Sequence, residues 1–264
     1  MNQLTNITLK FETGAATHVG RVRQANEDSF IARPDLGLWA VADGVGGHEA
    51  GQLASSTVAE ELASIGPAVS IDDQIARFQA RIFRANSSIH QLAEERGGAM
   101  MGTTVVAALA FDHEFSILWA GDSRAYLQRG AALHPLSRDH SEVQELLDEG
   151  VIDAEQAKTW PRRNVITRAI GIFDEPQLEC IKGDIHSGDT FVLCSDGLTG
   201  HLSDADILHH LLDQRAQDAC DAMIETTLQR GGSDNVTIIV VRCHHAERTH
   251  LIPGTVSESA RGEA

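Results

Sequence analysis

Cysteine is scarce in this 264-residue chain, and its four copies, Cys180, Cys194, Cys220 and Cys243, stand far apart. No two are close enough in sequence to begin a zinc cage. None opens the glycine-rich, arginine-ended turn that cradles phosphate around a nucleophilic thiol, so a covalent phosphocysteine route is disfavoured. The thiols read as buried groups of a reducing compartment. Positive charge is also short: 21 Lys and Arg against 38 Asp and Glu leave a net charge of −17. That balance argues against nucleic acid as the main ligand, because a phosphate backbone demands basic patches. No apolar run approaches the roughly 20 residues of a membrane span. The first ten residues lack a basic start followed by a long apolar stretch, so no signal peptide is expected. The expectation is a soluble cytoplasmic protein with neither nucleic-acid nor membrane partners.

With 42% hydrophobic and 22% charged residues, a sizeable core can form. No internal repeat or linker divides the chain, so one domain is expected over 12–243. A polar lead-in (1–11), or else an edge strand there, would precede it, and an aperiodic polar tail (244–264), expected to be disordered, would follow. Strands are predicted at 17–23, 28–32, 38–42, 103–111, 115–120, 124–128, 178–182, 190–194 and 236–242. Helices are predicted at 51–63, 141–149, 204–212 and 217–230, and from an N-cap at Ser70 to a stop at Gly97-Gly98. The segment 151–166 carries Pro161 and reads as an excursion over the surface. Hairpin-linked strands in two blocks, each with a pair of helices, predict an α+β fold. Its form would be a four-layer αββα sandwich of two packed antiparallel sheets flanked by helix pairs.

Acidic residues recur at strand ends. Asp43-Gly44 closes the apolar run 38–42, Asp196-Gly197 follows 191–194, Asp122 follows 116–120, and Asp234 precedes 236–241. A strand end holds its side chain rigidly, and distant strands can converge on one point. Two unit charges about 4 Å apart repel by roughly 4 kcal/mol at an effective dielectric of 20, against a fold stability of only about 5–15 kcal/mol. Converging carboxylates therefore need a cation, and oxygen-only ligands favour a hard divalent ion, Mn²⁺ or Mg²⁺, over Zn²⁺.

Seven motifs in order carry a resemblance: Arg23-Gln24-Ala25-Asn26-Glu27-Asp28, Asp43-Gly44-Val45-Gly46-Gly47-His48, Gly121-Asp122-Ser123-Arg124, Asp139-His140-Ser141, Asn164 to Gly171, Ser195-Asp196-Gly197 and Ser233-Asp234-Asn235. Over about 12–243 the chain resembles the metal-dependent protein phosphatases of the PPM, or type-2C, family, most of all their single-domain bacterial branch. The resemblance implies hydrolysis of phosphoserine and phosphothreonine on proteins by a water between two Mn²⁺ or Mg²⁺ ions. It implies a phosphoprotein substrate, a bacterial Ser/Thr kinase acting in opposition, and a monomer. Type VI secretion control is a further possibility that the general look of the chain leaves open. A catalytically weak phosphoprotein-binding module and a small-molecule phosphoesterase stand as alternatives.

Residue by residue, the resemblance makes Asp43 the bridge between two metals, with the Gly44 carbonyl, Glu27, Asp196 and Asp234 as further ligands. Asp28 acts there through bound water. Neighbours on a strand face opposite ways, so one of Glu27 and Asp28 must stand back or sit at a bend. Asp122 either shares a third, weaker metal with Asp196 or caps backbone amides. Arg23 matches the phosphate-binding arginine, whose fork fits two oxygens. His48 is a candidate proton donor to the leaving alkoxide, or a residue that fixes its loop. Ser123, Arg124 and His140 read as structural, and Asp139 as a support. Trp160 either contacts substrate or pins its loop.

Overall fold

The computed structural model describes residues 9–212 and 214–245. The first half contains β1 (Leu9–His18), β2 (Asp28–Arg33), β3 (Leu38–Val45), α1 (His48–Ala63), α2 (Ile71–Glu95), β4 (Gly102–Thr103), β5 (Val105–Phe111) and β6 (Glu114–Ala120). There follow β7 (Arg124–Arg129), β8 (Ala132–Pro135), α3 (Glu142–Asp148), α4 (Ala154–Lys158), β9 (Glu179–Asp184) and β10 (Thr190–Cys194). The chain then forms α5 (Asp196–Thr199), α6 (Asp204–Leu211), α7 (Ala216–Gln229) and β11 (Val236–His245). One sheet has the order β1-β11-β10-β7-β8, the other β2-β3-β5-β6-β9 with β4 on β3. Every pairing is antiparallel.

Alternation along the strands explains the layers. On β3, Leu38, Ala40 and Ala42 pack under the helices with Val58, Phe78 and Ile82, while Trp39 and Val41 face the other sheet. On β11, Ile239, Val241 and Cys243 enter the space between the sheets, and Ile238 and Val240 meet α6 and α7. These two central strands are thus buried on both faces, and three cores separate four layers as the pattern predicts. The α2 prediction also holds: Ser70 Oγ accepts from Asp73 N at 3.1 Å, and Ile71, Ile75, Phe78, Ile82 and Ile89 line its buried face.

Trp39 is the largest fully buried side chain, between the sheets. Its Nε1 donates to Thr13 Oγ1 at 3.0 Å, and Phe11 meets it edge-on at 5.0 Å. Replacing it with alanine should cost about 3–5 kcal/mol. Urea denaturation would show this as a lower midpoint, and an unchanged midpoint would contradict the packing described.

Four predictions need correction. The strand predicted at 17–23 does not form; β1 ends at His18, and its start at Leu9 bears out the edge-strand reading of the lead-in. Leu9, Phe11 and Ala15 pack against the inter-sheet core, an alternation that the intervening polar residues obscure. At the other end β11 runs on to His245, past the expected boundary at 243, because it pairs with β1 over its whole length. The expected disorder of the tail concerns 246–264, outside the described residues. Helix α1 begins at His48 rather than residue 51, since Gly47 offers no side-chain cap to mark the start. Within the 151–166 excursion, α4 carries a capping box from Asp153. Trp160 Nε1 points to Glu142 Oε1 at 3.4 Å, so this ring pins the loop.

Candidate active site

Each candidate ligand is fixed by backbone around it. The β2–β3 register sets Asp28 directly across from Asp43. The Asp43 carbonyl accepts from Thr104 N (2.8 Å) and Thr103 Oγ1 (2.9 Å), and its N–H donates to Thr104 Oγ1 at 3.1 Å. The next residue must be glycine: a Cβ on Gly44 would collide with the Gly51 carbonyl, and Gly44 N also donates to Glu27 O at 3.2 Å. Asp196 opens α5 at the end of β10, while Asp234 and Asn235 lead into β11.

Asp122 sits on a turn held from behind by His140. Gly121 N donates to His140 Nδ1 at 3.2 Å, and His140 N returns a bond to Gly121 O at 2.9 Å. His140 stacks on Trp119 at 5.9 Å. Arg124 forks onto Asp139 at 2.8 and 2.7 Å, which keeps the guanidinium firmly charged. Arg124, Asp139 and His140 are therefore braces of the turn, as the sequence suggested.

One cavity of about 250 Å³ gathers Glu27, Asp43, Asp122, Asp196 and Asp234 with Arg23. Gly44 to Gly47, Thr104, Asn164, Ile166 and Asn235 complete its lining. Asp28 is set back from that lining: it is buried, and Ser195 Oγ donates to its Oδ2 at 2.8 Å. This resolves the adjacent acidic pair, with Glu27 reaching the cavity and Asp28 behind it. Arg23 Nη2 donates to Asp234 Oδ2 at 2.7 Å. His48 opens α1 beside the glycine-lined rim, and its side chain lies outside the described residues.

Crowding shifts the carboxyls as the repulsion argument requires. Burial, reinforced by Asp196 and Asp234, pushes Asp28 up to about 7. Burial with the Asp196 and Asp139 charges pushes Asp122 up to about 8. Asp43 is raised well above the usual range by burial and then by Asp28 and Asp196. Asp196 is raised by burial and Asp234, partly offset by a hydrogen bond it shares with Asp43. Without cations these groups hold protons to limit their repulsion.

Divalent ions fit this donor set. All the candidate ligands are oxygens, and Asp28 Oδ1 is buried with no hydrogen-bond partner. Among the described residues no three His, Cys, Asp or Glu side chains already form a closed cage. Asp43 and Asp196 both have pKa values raised chiefly by burial, so seating an ion there would displace protons.

Asn235 stands in the Ser233-Asp234-Asn235 motif, where sequence alone assigned it no role of its own. Its Oδ1 accepts from Glu27 N at 2.8 Å, and its Nδ2 donates to Val19 O and Ala25 O at 2.9 Å each. It ties the loop bearing Arg23 and Glu27 to β11. The only sequence signal was its place directly after Asp234.

A family model for protein phosphatase 2C matches residues 17–230. The serine/threonine protein phosphatase PstP of Mycobacterium tuberculosis is 36% identical over 259 residues, 96% of this chain and 50% of that protein. The chain thus spans about half the length of that curated relative. Among solved structures, PppA, a key regulatory component of the type VI secretion system in Pseudomonas aeruginosa, superposes with a TM-score of 0.84 at 38% identity. The match covers 90% of this chain and 99% of PppA. The catalytic domain of PstP in complex with two manganese ions gives a TM-score of 0.81 at 35% identity, covering 90% and 100%. With sandwich, motif order and sequence all in agreement, the chain belongs to the protein phosphatase 2C family.

Proposed function

We propose that this chain hydrolyses phosphoserine and phosphothreonine on proteins, using two Mn²⁺ or Mg²⁺ ions. The observation that carries this is the convergence of five carboxylates and Arg23, drawn from widely separated parts of the sequence, on one cavity. Asp43, the Gly44 carbonyl, Glu27, Asp196 and Asp234 would hold the pair, with Asp28 behind them and Asp122 beside Asp196 for a weaker third. Bound there, such ions supply Lewis acidity toward the phosphoryl oxygens and lower the pKa of the attacking water. The manganese complex of PstP supports this choice of cofactor.

The chain's own contribution is positioning and charge. Arg23 leaves Asp234 and places its fork on two phosphoryl oxygens, holding phosphorus in line for attack. Asn164 and Ile166, from the end of the 151–166 excursion, enclose the reacting group. His48, at the first turn of α1, is the candidate to protonate the departing serine or threonine oxygen. In the cell we place the enzyme in the cytoplasm as a monomer, opposite a bacterial Ser/Thr kinase. The likeness to PppA favours a regulatory setting of the type VI secretion kind.

The deciding experiment is phosphate release from a phosphothreonine peptide with and without Mn²⁺. Release should require the ion, and an undiminished rate under exhaustive chelation would refute the proposal. Arg23→Ala should raise KM about tenfold or more, with kcat changing less, because a charge-assisted fork to bound phosphate is lost. Steady-state kinetics on the same peptide check this, and an unaltered KM would remove Arg23 from phosphate binding.

A further inference from the structure

Beside the catalytic cavity lies a second one of about 320 Å³, and the two share Val45, Asn164 and Ile166 as a common wall. The new cavity is lined mainly by apolar side chains, with Met100, Val165, Ile172 and Phe173 at its open side. Met100 is 67% and Phe173 41% exposed, unusual for large apolar residues unless a surface has a use.

The wall is built rather than loose. Asn86 Nδ2 donates to Phe173 O at 3.0 Å, His90 Nε2 lies 2.9 Å from the same oxygen, and Gly171 N donates to Asn86 Oδ1 at 2.6 Å. Gly171 has φ +88°, and a Cβ there would collide with Ile89 of α2. Ile170 exchanges backbone bonds with Thr103 at 2.8 and 3.0 Å. Three anchors therefore hold the 170–173 backbone against the fold while Ile172 and Phe173 stay exposed. A fixed apolar groove loses little entropy when it is filled.

We infer that this groove seats an apolar side chain of the protein substrate, close in sequence to the phosphorylated residue. The inference rests on the phosphatase reading above. Continuity decides the occupant: a peptide with its phosphate at Arg23 must leave the catalytic cavity over its rim, and across the Val45–Ile166 wall the next surface is apolar.

The test uses the full chain with Mn²⁺, p-nitrophenyl phosphate, and phosphothreonine peptides carrying Leu or Asp at each flanking position. Wild type should favour Leu over Asp at one or more of these positions by about tenfold in kcat/KM, as burial of one apolar side chain allows. Phe173→Asp and the milder Ile172→Ala should each shrink that preference while leaving p-nitrophenyl phosphate turnover unchanged. Equal rates for Leu and Asp peptides at every position would overturn the inference, as would a preference that both variants leave intact. A rise in peptide kcat/KM on Leu251→Asp with Ile252→Asp would assign the groove to the chain's own tail. Loss of a dimer on Phe173→Asp, seen by light scattering, would assign it to a second copy. Either assignment also overturns the inference. If wild type with Mn²⁺ hydrolyses neither peptides nor p-nitrophenyl phosphate, the phosphatase reading itself has failed, an outcome distinct from lost selectivity.

Discussion

Asp43→Asn should abolish nearly all phosphopeptide turnover, lowering kcat by more than about a hundredfold, while the fold stays intact. The expectation comes from the position of this carboxylate among Asp28, Asp122, Asp196 and Asp234, whose charges all raise it. An amide has nearly the same shape but is neutral and a poor ligand for a hard cation. The backbone at residue 43 is secured through its own N–H and carbonyl by Thr103 and Thr104, so the side chain is not needed for local structure. Replacing a buried carboxyl that must hold a proton to limit repulsion should leave the metal-free protein as stable as wild type or more so. Phosphate-release kinetics paired with a thermal melt under chelator separate the two effects. A variant that melts early and is inactive would point to structural damage, and full turnover would remove Asp43 from the metal site.

Metal binding should raise the melting temperature, and by more at pH 8 than at pH 5. Unfolded, each carboxyl ionises near its ordinary value of about 3.9. Folded and metal-free, Asp28 holds its proton up to about 7 and Asp122 up to about 8. Between those limits these two groups bind more protons in the folded chain than in the unfolded one, so their contribution to stability falls as pH rises; His140 and His210, held low chiefly by burial, act oppositely with or without metal. Carboxyls shifted the other way, such as Asp206 beside Arg230, stabilise above their unfolded value and lose that effect only in more acidic solution. They leave the window from 5 to 8 undisturbed. Mn²⁺ competes with the trapped protons and removes the repulsion. At a hundred times Kd it contributes about 2.7 kcal/mol, or roughly 5–10 °C for a domain of this size. Melts of chelated and Mn²⁺-loaded protein across this range provide the check. Equal shifts at both pH values would mean that the carboxyls are not the binding groups.

Much of the site was legible because turn chemistry marks it. Asp43-Gly44 and Asp196-Gly197 each end an apolar run, and such runs are strands whose ends must be exposed somewhere. The helical spacing of Ile71, Ile75, Phe78, Ile82 and Ile89 was equally clear, because one face of a long helix is buried throughout. Residues that act through shape or backbone were not visible. Asn235 looks like any turn asparagine until Val19, Ala25 and Glu27 surround it, and those partners lie over 200 positions away in sequence. The start of α1 was missed because a glycine in an uncommon conformation, Gly47 at φ +87°, stands where a capping side chain is usual. The extent of β1 was misread because its apolar residues are few and their partner, β11, is the last strand described.

The pairing of β1 with β11 bears on the order in which the chain can fold during synthesis. Strand β11 is the interior neighbour of both β1 and β10, so its sheet stays split until the last of the catalytic domain has been synthesised. Contacts between such distant parts of a chain form late, since the long loop between them must close first. A nascent chain still lacking residues 234–241 would have neither Asp234 nor the bond that anchors Glu27. If the proposed activity holds, a half-made polypeptide would lack the complete carboxylate set until β11 is added.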